Sequence, residues 1–330
     1  MEISLKNILK NNKWTFGAIR YFLNLYEAVK GTREAQSMQR EVLASTISIK
    51  QGVRTLHHRW PEVESTEQES PIFIMSAGWR SGSTLLQRLI MSKENILVWG
   101  EPYSHAGMLD GLAGTLKAFT NRWPADDWFI DNYDKAQLSR LWVANLYPEV
   151  KHLQAANIDY MSALFKKPAN DLGFARWGIK DVRLTIDHAS YLKWLYPHAK
   201  FLFLYRNPYH AYMSYRPARD WYKKWPDQPV FTPGAFAQHW LELVSGYIEG
   251  YESVGGVLVK YEDLTSGKLN VDELRDYLCV DINADVLNEM VGTSNVSCVD
   301  VPSFELNQVR KVVEPLAFQL GYNYGKSGNE

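Results

Sequence analysis

The runs PIFIM (71–75) and KFLFLY (200–205) are unbroken blocks of apolar β-formers, and each leads through a short polar loop into helix. A strand with no polar alternation is buried on both faces. Two such strands, each followed by a helix, are units of a parallel sheet. The surrounding pattern repeats the unit. Ile72–Ser76 reads as strand and Thr84–Met91 as helix, and Asn95–Trp99 as a short strand. Helices dominate from Gly107 to Phe165. Gly178–Lys180 ends another strand and Leu192–Tyr196 closes a helix. Lys200–Tyr205 is strand, Tyr209–Tyr215 helix, Phe236–Tyr251 a long helix and Val257–Lys260 a last strand. The alternation predicts an α/β fold: a phosphate-loop-like, three-layer domain with a central parallel sheet flanked by helices. Ligands of such sheets sit at the carboxyl ends of the strands.

Residues 1–60 read as a helical extension, with Phe16, Ile19, Phe22, Leu23 and Tyr26 on one face and a stop at Gly31. A second helix is expected from Thr32 to Leu56. These helices would cover the core or pair with a second copy of the chain. PEVESTEQESP (61–71) reads as an acidic linker, and residues 71–330 as the catalytic domain. The stretch Trp14–Val29 carries Arg20, Asn24 and Glu27, which is too polar and short for a membrane span. A net charge of -1 gives no global field for nucleic acid, so any anion site must be local. Two cysteines, Cys279 and Cys298, make neither a disulfide framework nor metal-ligand spacing, and they fit a reducing, cytoplasmic setting.

Two loops carry the chemistry. In SAGWRSGSTLL (76–86), small residues at Ser81, Gly82 and Ser83 let backbone N–H groups approach an anion, and the helix starting near Thr84 adds its positive end. Arg80 sits inside this loop, where a cation at a helix start is unfavourable unless an anion offsets it. The spacing is not that of the nucleotide triphosphatase loop, since Gly82 is followed by Ser83 and not by lysine. In LYRNPYHAYMSY (204–215), Arg206 ends the strand, Asn207-Pro208 opens the helix, and Ser214 follows about two turns on. The planar fork of Arg206 suits a phosphate. Two anion loops on neighbouring strand ends imply a ligand with two separate phosphate groups.

This pair of loops resembles that of the sulfotransferases that use 3′-phosphoadenosine 5′-phosphosulfate (PAPS). The resemblance covers roughly residues 71–322. It implies that the first loop holds the 5′-phosphosulfate, that Arg206 and Ser214 hold the 3′-phosphate, and that no metal is needed. WGIKD resembles a segment whose lysine reaches the transferred group, here Lys180, and VKYEDL one whose tyrosine borders the nucleotide, here Tyr261. Glu101, after the second strand, would be the base and His105 the runner-up. Arg80 would stabilise charge on the leaving oxygen. QVRKVVEPLAFQLGY resembles the closing helix of bacterial and Golgi-type members, and the chain looks closer to the carbohydrate, tyrosylprotein and bacterial branch than to the cytosolic one. The Arg-Lys-Gly clamp of the cytosolic branch is absent from the sequence, which leaves Ser297, Ser303 and Lys311 as candidates for the lid.

The expected acceptor is a small molecule or glycan bearing a hydroxyl. Arg216, Arg219, Lys223 and Lys224, interleaved with Trp221 and Trp225, would form either an acceptor face or a solvated basic loop. Two rival readings remain. A phosphotransferase would need a Mg²⁺-holding aspartate, for which Asp181 is the candidate, and a loop lysine. A non-catalytic nucleotide-binding module would use the N-terminal helices instead.

Overall fold

The computed structural model describes residues 25–26, 28–33, 47–142, 144–217, 230–288 and 301–324. The chain divides into two compact units, Met1–Ile47 and Ser48–Glu330. In the first unit the described residues 25–26 and 28–33 are helical, and Gly31 lies within the helix, not at its end. A glycine inside a helix loses only about 1 kcal/mol against alanine, so it does not stop one by itself. Most of the helical extension expected at residues 1–60, including any dimer surface there, lies outside the described residues.

The second unit begins earlier than the expected boundary. Helix α1 (Ile49–Arg59) is set by a capping box in which the Ser48 hydroxyl accepts from Gln51 N and the Gln51 side chain accepts from Ser48 N. That cap separates it from the preceding chain, so there is no single helix from Thr32 to Leu56. Ile49, Val53 and Leu56 recur at helical spacing and are buried in the main core. The acidic stretch 61–70 is not a free linker. Ser65 Oγ donates to Leu195 O at 2.7 Å, Ser70 Oγ donates to His198 O at 2.8 Å, and Glu69 pairs with Lys166 and accepts from Trp177 Nε1.

Five strands, β1 (Ile72–Ser76), β2 (Ile96–Gly100), β3 (Arg176–Asp181), β4 (Lys200–Tyr205) and β5 (Val257–Lys260), form one sheet in the order β2-β3-β1-β4-β5. Every pair is parallel. Side chains alternate between the faces. Phe73, Met75, Phe201 and Phe203 enter one buried cluster, while Ile72, Ile74, Leu202 and Leu204 enter the other. Both faces are therefore covered, which makes three layers. Short helices α2 (Ser83–Ile90), α3 (Met108–Gly114), α4 (Val150–Met161), α5 (Lys167–Asp171), α6 (Ile186–Leu195) and α7 (Pro208–Tyr215) separate the strands. They are joined by α8 (Pro233–Gly250), α9 (Tyr261–Ser266), α10 (Val271–Leu278) and α11 (Ser303–Gln319).

Residues 115–140 depart from the helical expectation. They form short 3-10 turns, such as Thr115–Ala118, Asp126–Trp128 and Ile130–Asn132. Pro124 and the run of Asp and Asn residues favour turns over continuous helix.

The connection leaving β1 travels to the β2 side of the sheet, and the one leaving β4 travels to the β5 side. β1 and β4 are neighbours, with Ser76 beside Leu204. Their carboxyl ends thus border the crevice where chain direction splits, the ligand position of open α/β sheets.

Membership of α1 in the main unit can be tested at Gly52, where a Cβ would stand 2.2 Å from the Leu116 carbonyl oxygen. Gly52→Ala is expected to destabilise the main cooperative unfolding transition by about 1–3 kcal/mol through overpacking. An unchanged midpoint in thermal unfolding would show that α1 does not pack in this unit.

Candidate active site

The first loop is pinned by both flanking strand ends. Ala77 N donates to Leu204 O at 2.8 Å and Gly78 N donates to Val182 O at 3.0 Å. Three residues in the following turn are left-handed: Gly78 (φ 79), Arg80 (φ 63) and Gly82 (φ 92). Arg80 is the one among them that carries a side chain, and holding such a residue there costs on the order of 1–3 kcal/mol. The second loop supports it. Arg206 Nη1 donates to Arg80 O at 2.9 Å, and Arg80 Nε donates to Ser214 Oγ at 2.9 Å. Gly82 is required for another reason: a Cβ there would meet the Tyr261 ring at 2.1 Å. Helix α2 starts at Ser83, so its first N–H groups, which have no partner within the helix, open at the end of the loop.

The second loop is equally tied. Asn207 Oδ1 accepts from Tyr209 N at 2.9 Å and from His210 N at 3.4 Å, with Pro208 in the first turn of α7. Asn207 N donates to Glu262 Oε1 at 2.9 Å, and Trp240 Nε1 donates to Arg206 O at 3.0 Å. The Arg206 guanidinium lies over the Tyr261 ring, 4.2 Å from its centroid. Burial, with the charge of Arg80 adding to it, holds Arg206 below the usual guanidinium range, and Tyr261 and Glu262 oppose that shift. A phosphate would relieve the same burden. The donors present fit one: Arg206 Nε and Ser81 Oγ are both buried without a hydrogen-bond partner. Thus Arg80, Ser81, Gly82, Ser83, Arg206, Ser214 and Tyr261 belong to one constellation, while Thr84 lies at its edge with its side chain exposed.

A second constellation stands one strand away. Gly100 pairs with Lys180 across β2 and β3, and Glu101 N donates to Lys180 O at 2.6 Å. The Glu101 carboxylate pairs with Lys180 Nζ. Glu101 itself is left-handed (φ 46), as is Tyr103 (φ 53). Asp181 follows Lys180, and burial pushes its carboxyl above the usual range. It accepts from Arg183 N at 2.8 Å and bonds the Ser104 hydroxyl, and Ser104 Oγ in turn accepts from Arg183 Nη2 at 2.6 Å. Asp181 is therefore committed to holding the Glu101–Ser104 turn, and is not presented as the Mg²⁺ ligand of the phosphotransferase reading. His105 is exposed on the short turn Ser104–Ala106.

Several residues of this region carry no signal that sequence reasoning could use. Arg183 and Ser104 act through a turn whose closure depends on the sheet. His239, midway along α8, packs against Gly78 and lies 5.4 Å from the Trp79 ring. Its Nε2 is buried without a partner, and burial, reinforced by the charge of Arg183 and opposed by Glu242, pushes its pKa down to about 4. In the sequence it is one histidine on an apolar helix face. Other candidates fall elsewhere. Arg216 forks onto Glu305, at 2.6 and 3.0 Å, and joins α7 to α11, so it is not turned to an acceptor. Arg219, Trp221, Lys223, Lys224, Trp225 and Ser297 lie outside the described residues. Ser303 is the first residue of α11, and Lys311 is exposed on it.

The sulfotransferase family profile matches residues 71–271, more than half of the chain, and both constellations fall inside that span. The chain belongs to the sulfotransferase family. Solved structures similar to it include a sulfotransferase from Alicyclobacillus acidocaldarius, at 16% identity, covering 77% of this chain and 97% of that one, with a TM-score of 0.39. Sulfotransferase STF9 from Mycobacterium avium is 11% identical, with 86% of each chain covered and a TM-score of 0.39. Mouse sulfotransferase SULT7A1 complexed with PAP is 13% identical, with 82% and 90% covered and a TM-score of 0.36. No curated protein matches the chain.

The burial of His239 sets a pH dependence. The folded protein keeps the imidazole neutral down to about pH 4. The unfolded chain takes up that proton near pH 6.5. This contribution to stability is therefore complete above pH 6.5 and is lost as pH falls from there toward 4. Urea unfolding at pH 6.5 and pH 4.5 is expected to show a drop for the wild type that is smaller in His239→Gln, which has no proton to take up. Equal drops would mean that His239 titrates normally.

Proposed function

We propose that this sulfotransferase takes its sulfuryl group from PAPS and transfers it to a hydroxyl of a small-molecule or glycan acceptor. The observation that carries the reading is the lacing of the two loops across adjacent parallel strands: Arg206 on the Arg80 carbonyl, and Arg80 on Ser214. It supports a ligand with anionic groups at both loops. The backbone N–H groups of the first loop, with Ser81, Ser83 and Thr84, would hold the 5′-phosphosulfate. Arg206 and Ser214 would hold the 3′-phosphate, and Tyr261 would border the nucleoside. PAPS supplies an activated sulfuryl group whose leaving partner is a stable phosphate.

The chain's own residues would supply the rest. Lys180, buried beside the loops, would place positive charge where negative charge develops, and Arg80 would add a second cation while keeping the loops in register. The value of one such donor is typically about 10²–10³-fold in turnover. The Glu101 carboxylate would accept the proton of the acceptor hydroxyl, a contribution of roughly 10²–10⁴-fold for a positioned base. Its pairing with Lys180 orients it before substrate arrives. A reducing compartment suits the chain, since Cys279 is an exposed free thiol. Among the described residues no helix is long and apolar enough to cross a membrane.

Thermal-shift titration separates this reading from its rivals. Adenosine 3′,5′-bisphosphate (PAP), at a hundred times its dissociation constant, is expected to stabilise the protein by about 2.7 kcal/mol. ATP–Mg²⁺ should give little shift. Equal stabilisation by ATP–Mg²⁺ would favour the phosphotransferase. Arg206→Ala should weaken PAP binding more than Ser214→Ala, because a charge-assisted contact is roughly twice as strong as a neutral one.

The base can be tested separately. Glu101→Gln keeps the shape of the side chain and removes its proton acceptor. It should cripple transfer to an alcohol or sugar hydroxyl, spare an acidic phenol, and leave PAP affinity nearly unchanged. A defect of equal size across acceptors of falling pKa would exclude Glu101 as the base and direct attention to His105.

A further inference from the structure

The opposite end of the sheet carries a second feature that sulfuryl transfer does not use. Two concave clefts lie where the strands begin. One, of about 840 Å³, is lined by Lys166, Arg176, Lys193, His198 and Lys200, with Pro71 and Gly255 in its wall. The other, of about 510 Å³, is lined by Lys50, Arg54, His57 and Lys193. Lys193 and Pro197 belong to both, so the clefts adjoin. Glu69 and Glu64 are the carboxylates lining them, and Glu69 is already paired with Lys166. For a chain with a net charge of -1, this is a local concentration of positive charge.

Lysines near helix carboxyl ends are often explained by the carbonyls they neutralise. Here other donors have taken the carbonyls around the cleft, two of them, Leu195 O and Leu278 O, at helix ends. Ser65 bonds Leu195 O, Ser70 bonds His198 O, Arg176 bonds the carbonyls of Ser70 and Leu278, and the Tyr277 hydroxyl bonds Gly255 O. Lys193 and Lys200 make no ion pair with any described carboxylate. Lys200 Nζ instead stands 4.9 Å from the centre of the Tyr277 ring. Burial, with the charge of Lys200 added, holds Lys193 below the usual lysine range. The pair is thus partly desolvated, mutually repelling and open to a cleft whose walls include Pro71, Ala175, Pro197 and Ala199.

We infer that the cleft at the amino ends of β1 and β4 is a second ligand site, built around Lys193 and Lys200, for an organic phosphate or sulfate ester. The cations take the ester group, and the Pro and Ala walls take the apolar body. The site is separate from the two loops. β1 runs its full length between Pro71 and Ser76, a distance of roughly 17 Å at 3.3 Å per residue.

The test uses phenyl phosphate and phenyl sulfate as probes, with benzyl alcohol as the neutral control, in calorimetric titration of the full chain. Three proteins are compared: wild type, Arg206→Ala and the double variant Lys193→Ala/Lys200→Ala. Circular dichroism checks folding, and Lys193→Gln provides a milder substitution at the same place. The wild type and Arg206→Ala are expected to bind at least one of the esters, and the two probes distinguish phosphate from sulfate. The double variant should bind roughly tenfold or more weakly, and Lys193→Gln should fall between. The inference is overturned if neither ester binds the wild type, if benzyl alcohol binds as tightly as the esters, or if the double variant binds them as tightly as the wild type. Loss of binding in Arg206→Ala alone would assign the ester to the loops at the other end and equally overturn it.

Discussion

The meeting of the two loops depends on the parallel pairing of β1 with β4. That pairing sets Ser76 beside Leu204 and brings two separate strand-loop-helix units to the same edge of the molecule. The Arg206–Arg80 and Arg80–Ser214 hydrogen bonds follow from it, as does the tolerance of a left-handed arginine in the first loop. A single neutral hydrogen bond contributes about 0.5–1.5 kcal/mol, comparable with the strain at Arg80. The loop is held because several such bonds act on it together, including those from Ala77 and Gly78 to the neighbouring strand ends.

The same geometry explains how a chain with almost no net charge gathers hydrogen-bond donors and positive charge at one end of its sheet. Parallel strands collect the starts of the helices that follow them at one end, and two of those helices, α2 and α7, present their N-termini there. Arg80, Arg206 and Lys180 add full charges. Buried cations are unfavourable unless compensated, and each here has a partner. Arg206 has the Tyr261 ring and Lys180 has Glu101, while Arg80, which is exposed, reaches Ser214. At the other end of the sheet Lys193 and Lys200 lack a carboxylate partner among the described residues, which is why that cleft invites a ligand. Among the described residues five that carry side chains are left-handed: Arg80, Glu101 and Tyr103 follow the carboxyl ends of β1 and β2, while Glu94 and Cys279 lie elsewhere.

The strand runs, the two loops and the candidates Arg80, Arg206, Ser214, Lys180, Glu101 and Tyr261 were legible from residue order, because each lies within a few residues of a buried strand end. Strand and helix boundaries shifted by a residue or two: β2 ends at Gly100 and α2 begins at Ser83. Reading failed where the evidence was long-range. Helix α1 reads as part of an extension, yet Ile49, Val53 and Leu56 sit in the main core. The acidic stretch after it looks like a linker, yet its serines and Glu69 bond partners about a hundred residues away or more. Residues 115–140 settle into short turns where helix was expected, because Pro124 and the Asp and Asn residues there favour turns.

Sequence alone determined the class of fold and marked the two loops as candidate anion sites, since apolar runs, small residues and helix starts act locally. It also set the net charge against which those loops must work. Tertiary structure decided which groups meet. The strand order that puts Arg206 against Arg80, the register that joins Glu101 to Lys180, and the burial that keeps His239 neutral all come from contacts between distant segments. The physical reason is that desolvation and hydrogen-bond partnership are properties of an environment, and the environment exists only once the sheet has closed around the site.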